Sequence, residues 1–129
     1  MILVDSSVWI DYFNGNITPQ TNKLHELLVS EPLAIGDLIL TEVLQGFNED
    51  SEFKRAKSLL TSLTVIDLAG HEVALKAAGH YRKLRKMGFT VRKTIDAIIA
   101  TRCLEDDYQL LHSDRDFEPF IKHLDLREA

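Results

Sequence analysis

One cysteine, Cys103, stands in 129 residues, so no disulfide can close within the chain. The apolar helical pattern around it predicts a buried, reduced thiol. Long hydrophobic runs are missing as well, and no stretch approaches the length of a membrane span. The opening Met1-Ile-Leu-Val-Asp5 has no basic segment, and its apolar run stops at an acid after four residues. It does not read as a signal peptide, and a cytoplasmic location is expected. There is no Walker-type glycine loop and no GxGxxG, which leaves nucleotide-binding readings with little support. Repeats, low-complexity tracts and linkers are also missing. Hydrophobic residues make up 45% and charged residues 27%, so a single globular domain over residues 1–129 is expected.

Acid is missing from one long stretch. Between Glu72 and Asp96 there is none, while seven of the fifteen basic residues lie there: Lys76, Arg82, Lys83, Arg85, Lys86, Arg92 and Lys93. The chain as a whole is −5, a value that by itself argues weakly against a nucleic-acid partner. The asymmetry suggests instead a basic face on an acidic body. A solvated helix surface is the plainer explanation of the same run.

What is present alternates between strand-like and helix-like segments. Met1 to Val4 is wholly apolar, as a strand buried on both faces of a parallel sheet requires. Leu33 to Gly36, Thr64 to Asp67 and Gln109 to His112 read as further short strands, with a last one near Leu124 to Leu126. Helices are expected from Asp5 to Phe13, Pro19 to Ser30, Leu38 to Phe47, Ser51 to Leu63, Gly70 to Met87, Ile95 to Asp106 and Asp116 to Lys122. Asp5 and Thr94 serve as N-caps, and Asn14-Gly15-Asn16 and Gly88 as stops. This order predicts an α/β fold with a mainly parallel sheet.

In such sheets ligands bind beyond the carboxyl ends of the strands. Asp5 directly follows the first strand, and Asp114 and Asp116 follow the fourth. Glu42 interrupts the apolar helix Leu38-Ile-Leu-Thr-Glu-Val-Leu44, and Asp96 sits in the first turn of Ile95-Asp-Ala-Ile-Ile-Ala100. Taken singly, Asp5, Asp96, Asp114 and Asp116 read as helix caps. Glu42 is harder to explain away, because acids are rarely buried unless paired. Taken together, converging carboxylates repel: two about 5 Å apart cost roughly 3 kcal/mol at an effective dielectric near 20. A cation would relieve the cost, and an all-oxygen donor set selects Mg²⁺ or Mn²⁺. A carboxylate-held ion of this kind suits phosphodiester cleavage.

The residues also carry a family resemblance. Ile2-Leu-Val-Asp-Ser-Ser-Val-Trp-Ile-Asp-Tyr-Phe13, Thr41-Glu-Val-Leu-Gln-Gly46, Thr94-Ile-Asp-Ala-Ile-Ile-Ala100 and Leu110-Leu-His-Ser-Asp-Arg-Asp-Phe117 resemble, in order and spacing, the four motifs of VapC toxins in the PIN-domain superfamily. The resemblance implies a three-layer α/β/α fold and a metal-dependent endoribonuclease acting on a structured RNA such as tRNA or rRNA. It implies that Asp5, Glu42, Asp96 and Asp114 are metal-binding and catalytic carboxylates, with Asp116 a further acid of the metal site. It makes Ser6 or Ser7 the hydroxyl that helps hold the site. The family often has Thr where this chain has His112; Ser113 offers a hydroxyl in another register, and His112 is a candidate general base. A VapB-like antitoxin partner and a homodimer are implied too. For the dimer, the apolar residues Leu38, Ile39, Val43, Leu44 and Phe47 leave two readings open, core or part interface. The basic stretch, with Arg82, Arg85, Lys86 and Arg92, is expected to guide RNA phosphates.

Three other readings compete. A receiver-type domain also gathers acids around Mg²⁺, and Asp67 follows the third strand, but no Lys follows the last strand in a matching place. A non-enzymatic RNA-binding or interaction module on the same fold would not need all four acids intact. A PIN nuclease outside toxin–antitoxin systems would share every residue discussed so far.

Overall fold

A computed structural model describes residues 1–129. Four strands, β1 (Ile2–Val4), β2 (Leu33–Gly36), β3 (Thr64–Ile66) and β4 (Gln109–Leu111), form one sheet in the order β3-β2-β1-β4. Every pairing is parallel, with Leu3 opposite both Ala34 and Leu110, and Ile35 opposite Val65. The central strands are the ones made wholly of apolar or small residues. Leu3, Val4, Leu33, Ala34 and Ile35 are all buried, as expected where helices cover both faces. Edge strand β3 is more open, with Thr64 and Val65 exposed.

The helices are α1 (Ser6–Phe13), α2 (Pro19–Ser30), α3 (Asp37–Leu44), α4 (Asp50–Thr61), α5 (His71–Lys86), α6 (Thr94–Asp106) and α7 (Glu118–Leu124). Helix α1 packs on α2 and α3, and α3 on α4, while α5 and α6 pair with each other. These groups flank the sheet in a three-layer α/β/α arrangement around a continuous buried core. No helix is long and apolar enough to cross a membrane.

Local sequence explains most boundaries. Thr18 and Thr21 form a reciprocal capping box at the start of α2, with Pro19 in its first turn. Gly15 at φ +76 and Gly88 at φ +94 follow α1 and α5 in conformations that L side chains rarely adopt. Thr94 is the first residue of α6 rather than its cap; Lys93 holds the cap position and makes no side-chain capping bond. Helix α3 stops at Leu44, short of Phe47, which packs edge-to-face on Phe13 with ring centroids 5.5 Å apart.

The expected strand at Leu124 to Leu126 does not form. Helix α7 runs through Leu124, and Asp125 ends it at φ 62, leaving four residues after it. They still find the sheet, through a single parallel bridge between Leu110 and Glu128. Leu110 N donates to Arg127 O at 2.9 Å, and Ala129 N to Leu110 O at 3.0 Å.

Gly36 marks a close approach. A Cβ there would fall 2.3 to 2.5 Å from the Cγ and both Cδ atoms of Leu68, a fully buried side chain with nowhere to retreat. Asp37 fixes the same corner, its Oδ1 accepting from Leu38 N at 2.8 Å and Leu68 N at 3.0 Å. Arg102 holds the other side, donating to Leu68 O at 3.0 Å and Ala69 O at 2.8 Å. Gly36→Ala is therefore expected to cost roughly 1–3 kcal/mol by overpacking. Chemical denaturation checks this, and adding Leu68→Ala should give a loss smaller than the sum of the two.

Candidate active site

The connection leaving β1 and the one leaving β4 start side by side at the carboxyl end of the sheet, because those strands are neighbours. The chain passes from β1 to β2 on one side while β4 lies on the other, which makes this the switch point where α/β sheets open a crevice. Asp5 N donates to Leu111 O at 2.9 Å, so the first acid is pinned to the end of β4 by backbone.

Asp5 is buried and caps α1, its Oδ2 accepting from Ser7 N at 3.1 Å and Ser7 Oγ at 2.6 Å. The Ser7 hydroxyl in turn accepts from Ser113 N at 3.2 Å. One serine thus ties the residue after β1 to the segment after β4. Ser113 contributes its backbone N–H to this link rather than the hydroxyl that the sequence offers. Ser6 stands close enough to Glu42 to favour its charged form slightly.

The fourth-motif acids are gathered by a tight turn. Asp114 Oδ1 accepts from Asp116 N at 2.9 Å and so caps the short 3₁₀ turn Arg115–Phe117. Carboxylate oxygens of Asp96, Asp114 and Asp116 all lie within 4.8 Å of one another. Asp5 lies outside this close group, near enough for its charge to act on both Asp96 and Glu42. Three acids, Asp96, Asp114 and Asp116, are thus brought together by distance, while Asp5 and Glu42 are coupled to each other, and Asp5 to Asp96, through charge.

The charge balance is unequal. Asp96 is 3% exposed. Burial, and then the neighbouring acids, push its carboxyl up to about 7, although Lys93 pulls the other way. Glu42 is raised too, by burial first and then by Asp5. Asp114 moves in the opposite direction. Burial works against it, but the Asp116 backbone N–H and the Lys93 ammonium hold it below the usual carboxylate range. Two buried oxygens, Glu42 Oε1 and Asp96 Oδ2, have no hydrogen-bond partner. Unpaired buried carboxylate oxygens are costly, so the arrangement is left short of positive charge. The acidic cluster is able to hold a metal ion.

A model of the PIN domain matches residues 2–120. The chain belongs to the PIN-domain family. It is similar to ribonuclease VapC11 of Mycobacterium tuberculosis, with 29% identity over all of this chain and 98% of that protein. Among solved structures it resembles VapBC2 from Rickettsia felis, bound to a DNA fragment from their promoter. The TM-score is 0.75 at 18% identity, covering 100% of this chain and 98% of the other. VapBC-1 from nontypeable Haemophilus influenzae gives a TM-score of 0.74 at 21% identity, over 100% and 97% of the two chains. The fold of this PIN domain is the one its four motifs imply.

Other expected residues fall in different places. Arg82, Arg85 and Lys86 are exposed on α5, with Arg85 over the Tyr81 ring at 5.6 Å. Arg92 is apart from them, and its guanidinium donates to Asp116 Oδ1 at 2.9 Å. His112 Nδ1 donates to Asp114 O at 3.0 Å, its ring packs edge-on against Phe117, and its Nε2 lies 3.3 Å from Glu128 Oε2. Those contacts make it a support of the Asp114 turn. Ile39 and Val43 are buried and Leu44 and Phe47 half-buried, so α3 spends its apolar residues on the core and leaves only Leu38 exposed. Cys103 is buried, with its thiol pushed up to about 12 by burial.

Sequence reasoning missed Lys93 as a member of the site. Its ammonium lies 3.2 Å from Asp114 Oδ2 and 3.8 Å from Asp96 Oδ2. The only sequence signal was its place three residues before Asp96, which looks like an ordinary helix-end pair.

Proposed function

We propose that this PIN domain is a metal-dependent endoribonuclease and the toxin half of a VapBC pair. The observation that carries the reading is the close group of Asp96, Asp114 and Asp116, with Asp5 acting on Asp96 and Glu42 by charge and two buried oxygens without a hydrogen bond. The donor set is entirely oxygen, which suits Mg²⁺ or Mn²⁺. Asp5, Glu42, Asp96 and Asp114 would hold the ion, with Asp116 beside them. When bound, such an ion supplies a water of lowered pKa and neutralises charge that builds on a phosphodiester.

The chain's own residues do the positioning. Ser7 fixes the Asp5 carboxylate and, through Ser113 N, the spacing between the first and fourth motifs. His112 supports the backbone at Asp114. Burial of Asp96 keeps water from shielding its charge, which strengthens its pull on a cation. Hydrolysis in line is expected to leave a 5′-phosphate and a 3′-hydroxyl. Incubating the purified protein with structured RNA tests this: cleavage with those ends in Mg²⁺ or Mn²⁺, and none in excess EDTA, is expected. Undiminished cleavage in EDTA would falsify it.

Arg82, Arg85 and Lys86 are placed to hold RNA phosphates without reading sequence. Neutralising all three should weaken RNA binding and lower the slope of log affinity against log salt by roughly 2 to 3. Filter binding across a salt series measures this, and an unchanged slope removes these residues from the RNA path. Arg92, expected in the same role, is left out of this set because it is paired with Asp116.

The toxin reading rests on the VapC name of the similar ribonuclease and the VapBC assemblies whose fold is shared. A groove of about 420 Å³ runs beside Glu42, with Ile10, Phe13 and Phe47 among its apolar residues and Glu42, Glu49 and Glu52 at its polar ones. An antitoxin segment with apolar residues and an Arg suits it, because guanidinium matches paired carboxylate oxygens. A homodimer belongs to the same reading, as does a cytoplasmic location, where the RNA is.

A further inference from the structure

Lys93 holds an unusual position for a surface lysine. Its nearest carboxylate is Asp114, 21 residues away in sequence, at 3.2 Å. Asp96, the partner expected at a helix end, is farther, at 3.8 Å, and its Oδ2 is left without a hydrogen bond. The ammonium also acts on Glu42 and is acted on by Asp5. It is the cation that the acids of the third and fourth motifs share. The other nearby basic residue, Arg92, is engaged by Asp116 on the outer side.

We propose that Lys93 is a built-in competitor of the divalent ion: its ammonium balances the acidic cluster while no ion is bound, and is driven to the mouth of the site when one loads. The inference rests on reading the cluster as a divalent-cation site.

Three features favour exchange over a fixed ion pair. The Lys93 side chain is 55% exposed while Asp96 is 4%, so the charged head reaches in from solvent and can withdraw without disturbing the core. The residue sits at the cap of α6 with no capping bond of its own, so its stem has no helical duty. A lysine is a compact charge on a flexible four-carbon chain, unlike the planar fork of arginine. The ammonium also leaves the site incompletely satisfied. Glu42 Oε1 and Asp96 Oδ2 have no hydrogen bond with the lysine in place, Asp96 Oδ2 keeping only the 3.8 Å ion pair, so a doubly charged ion has more to gain there than a single charge supplies. Lysine and ion cannot occupy the same oxygens, and like charges at that range repel. Once displaced, the ammonium stands at the entrance, where a substrate phosphate would arrive.

Two measurements on the intact protein test the exchange, both with Mn²⁺ as probe. In calorimetry, Lys93→Gln is expected to bind Mn²⁺ about tenfold tighter than the wild type, equivalent to ~1.4 kcal/mol. In the wild type, labelling of Lys93 by an amine-reactive ester, read by peptide mass, should run several-fold faster with Mn²⁺ than without. Labelling of the exposed Lys23 should not change. The second measurement stands even if the variant fails to fold. Equal or weaker Mn²⁺ affinity in a folded Lys93→Gln, or Lys93 labelling that is unchanged or slowed, overturns the proposal. Mn²⁺ that binds the wild type and not Asp96→Asn, with Lys93 indifferent to it, removes this inference alone. Mn²⁺ that fails to bind the wild type, or that binds Asp96→Asn equally well, removes the metal reading and this inference with it.

Discussion

Asp96→Asn is expected to reduce RNA cleavage by about a thousandfold or more while the protein stays folded. The estimate follows from the several kcal/mol that a bound ion contributes to transition-state charge, each ~1.4 kcal/mol being a factor of ten in rate. Asn has nearly the shape of Asp, so the packing of α6 against the rest of the core is kept. What disappears is one negative charge, at a site where only 3% of the residue is exposed. A structural role would give the opposite pattern, with stability lost and activity following it. Single-turnover cleavage together with circular dichroism separates the two. A folded Asp96→Asn with wild-type cleavage would remove Asp96 from the chemistry.

The second large effect is on stability, and its sign is unusual for an acid. Burial raises the Asp96 carboxyl from 3.8 to about 7 in the folded protein. A group whose folded value is raised binds its proton more tightly when folded. Its stabilising share is complete below the unfolded value and is lost as pH climbs through the folded one. Glu42, also raised, acts in the same sense. Asp114, which is lowered, contributes at pH values above its unfolded range and loses that only in stronger acid. Without divalent ions, Asp96→Asn should therefore equal the wild type near pH 4 and exceed it increasingly towards pH 8. The gap is at most about 4 kcal/mol, since each tenfold change in proton affinity is worth ~1.4 kcal/mol. Adding Mg²⁺ or Mn²⁺ should stabilise the wild type and not the variant. Urea titrations at a series of pH values give the comparison. A wild type more stable than Asp96→Asn at pH 8 without metal contradicts the picture of a strained acidic cluster.

Much of the fold is legible in the sequence. The wholly apolar Ile2-Leu-Val4 and Leu33-Ala-Ile35 could be placed in the middle of a parallel sheet because nothing polar interrupts them. Glu42 and Asp96 stood out because acids sit awkwardly in apolar helical runs. Strand ends point to Asp5 and Asp114, while only the motif resemblance joins Glu42 and Asp96 to them; Asp96 does lie with Asp114 and Asp116. The parts that escaped depend on contacts between distant residues. The close fit of Gly36 against Leu68 joins residues 32 apart, and no local pattern announces it. Composition suggests a last strand at Leu124 to Leu126, but helix α7 takes Leu124, Asp125 caps it, and the pairing falls at Glu128. Lys93 and Arg92 were read with Arg82, Arg85 and Lys86 as one basic run. The turn after Gly88 divides them: three remain on the exposed face of α5, and two are carried to the acids. Charge in sequence fixes how many cations are near, and the loop decides which acids they meet.

The central claim is that Asp5, Glu42, Asp96 and Asp114 form one pocket whose unmet need is a divalent cation. Crystals grown with Mn²⁺ and measured at a wavelength where manganese scatters anomalously test it most directly. The account predicts an anomalous peak among those four carboxylates, with the Lys93 ammonium moved off Asp114. Crystals soaked in ample Mn²⁺ that show no peak there, with the acids unchanged around Lys93, would contradict it.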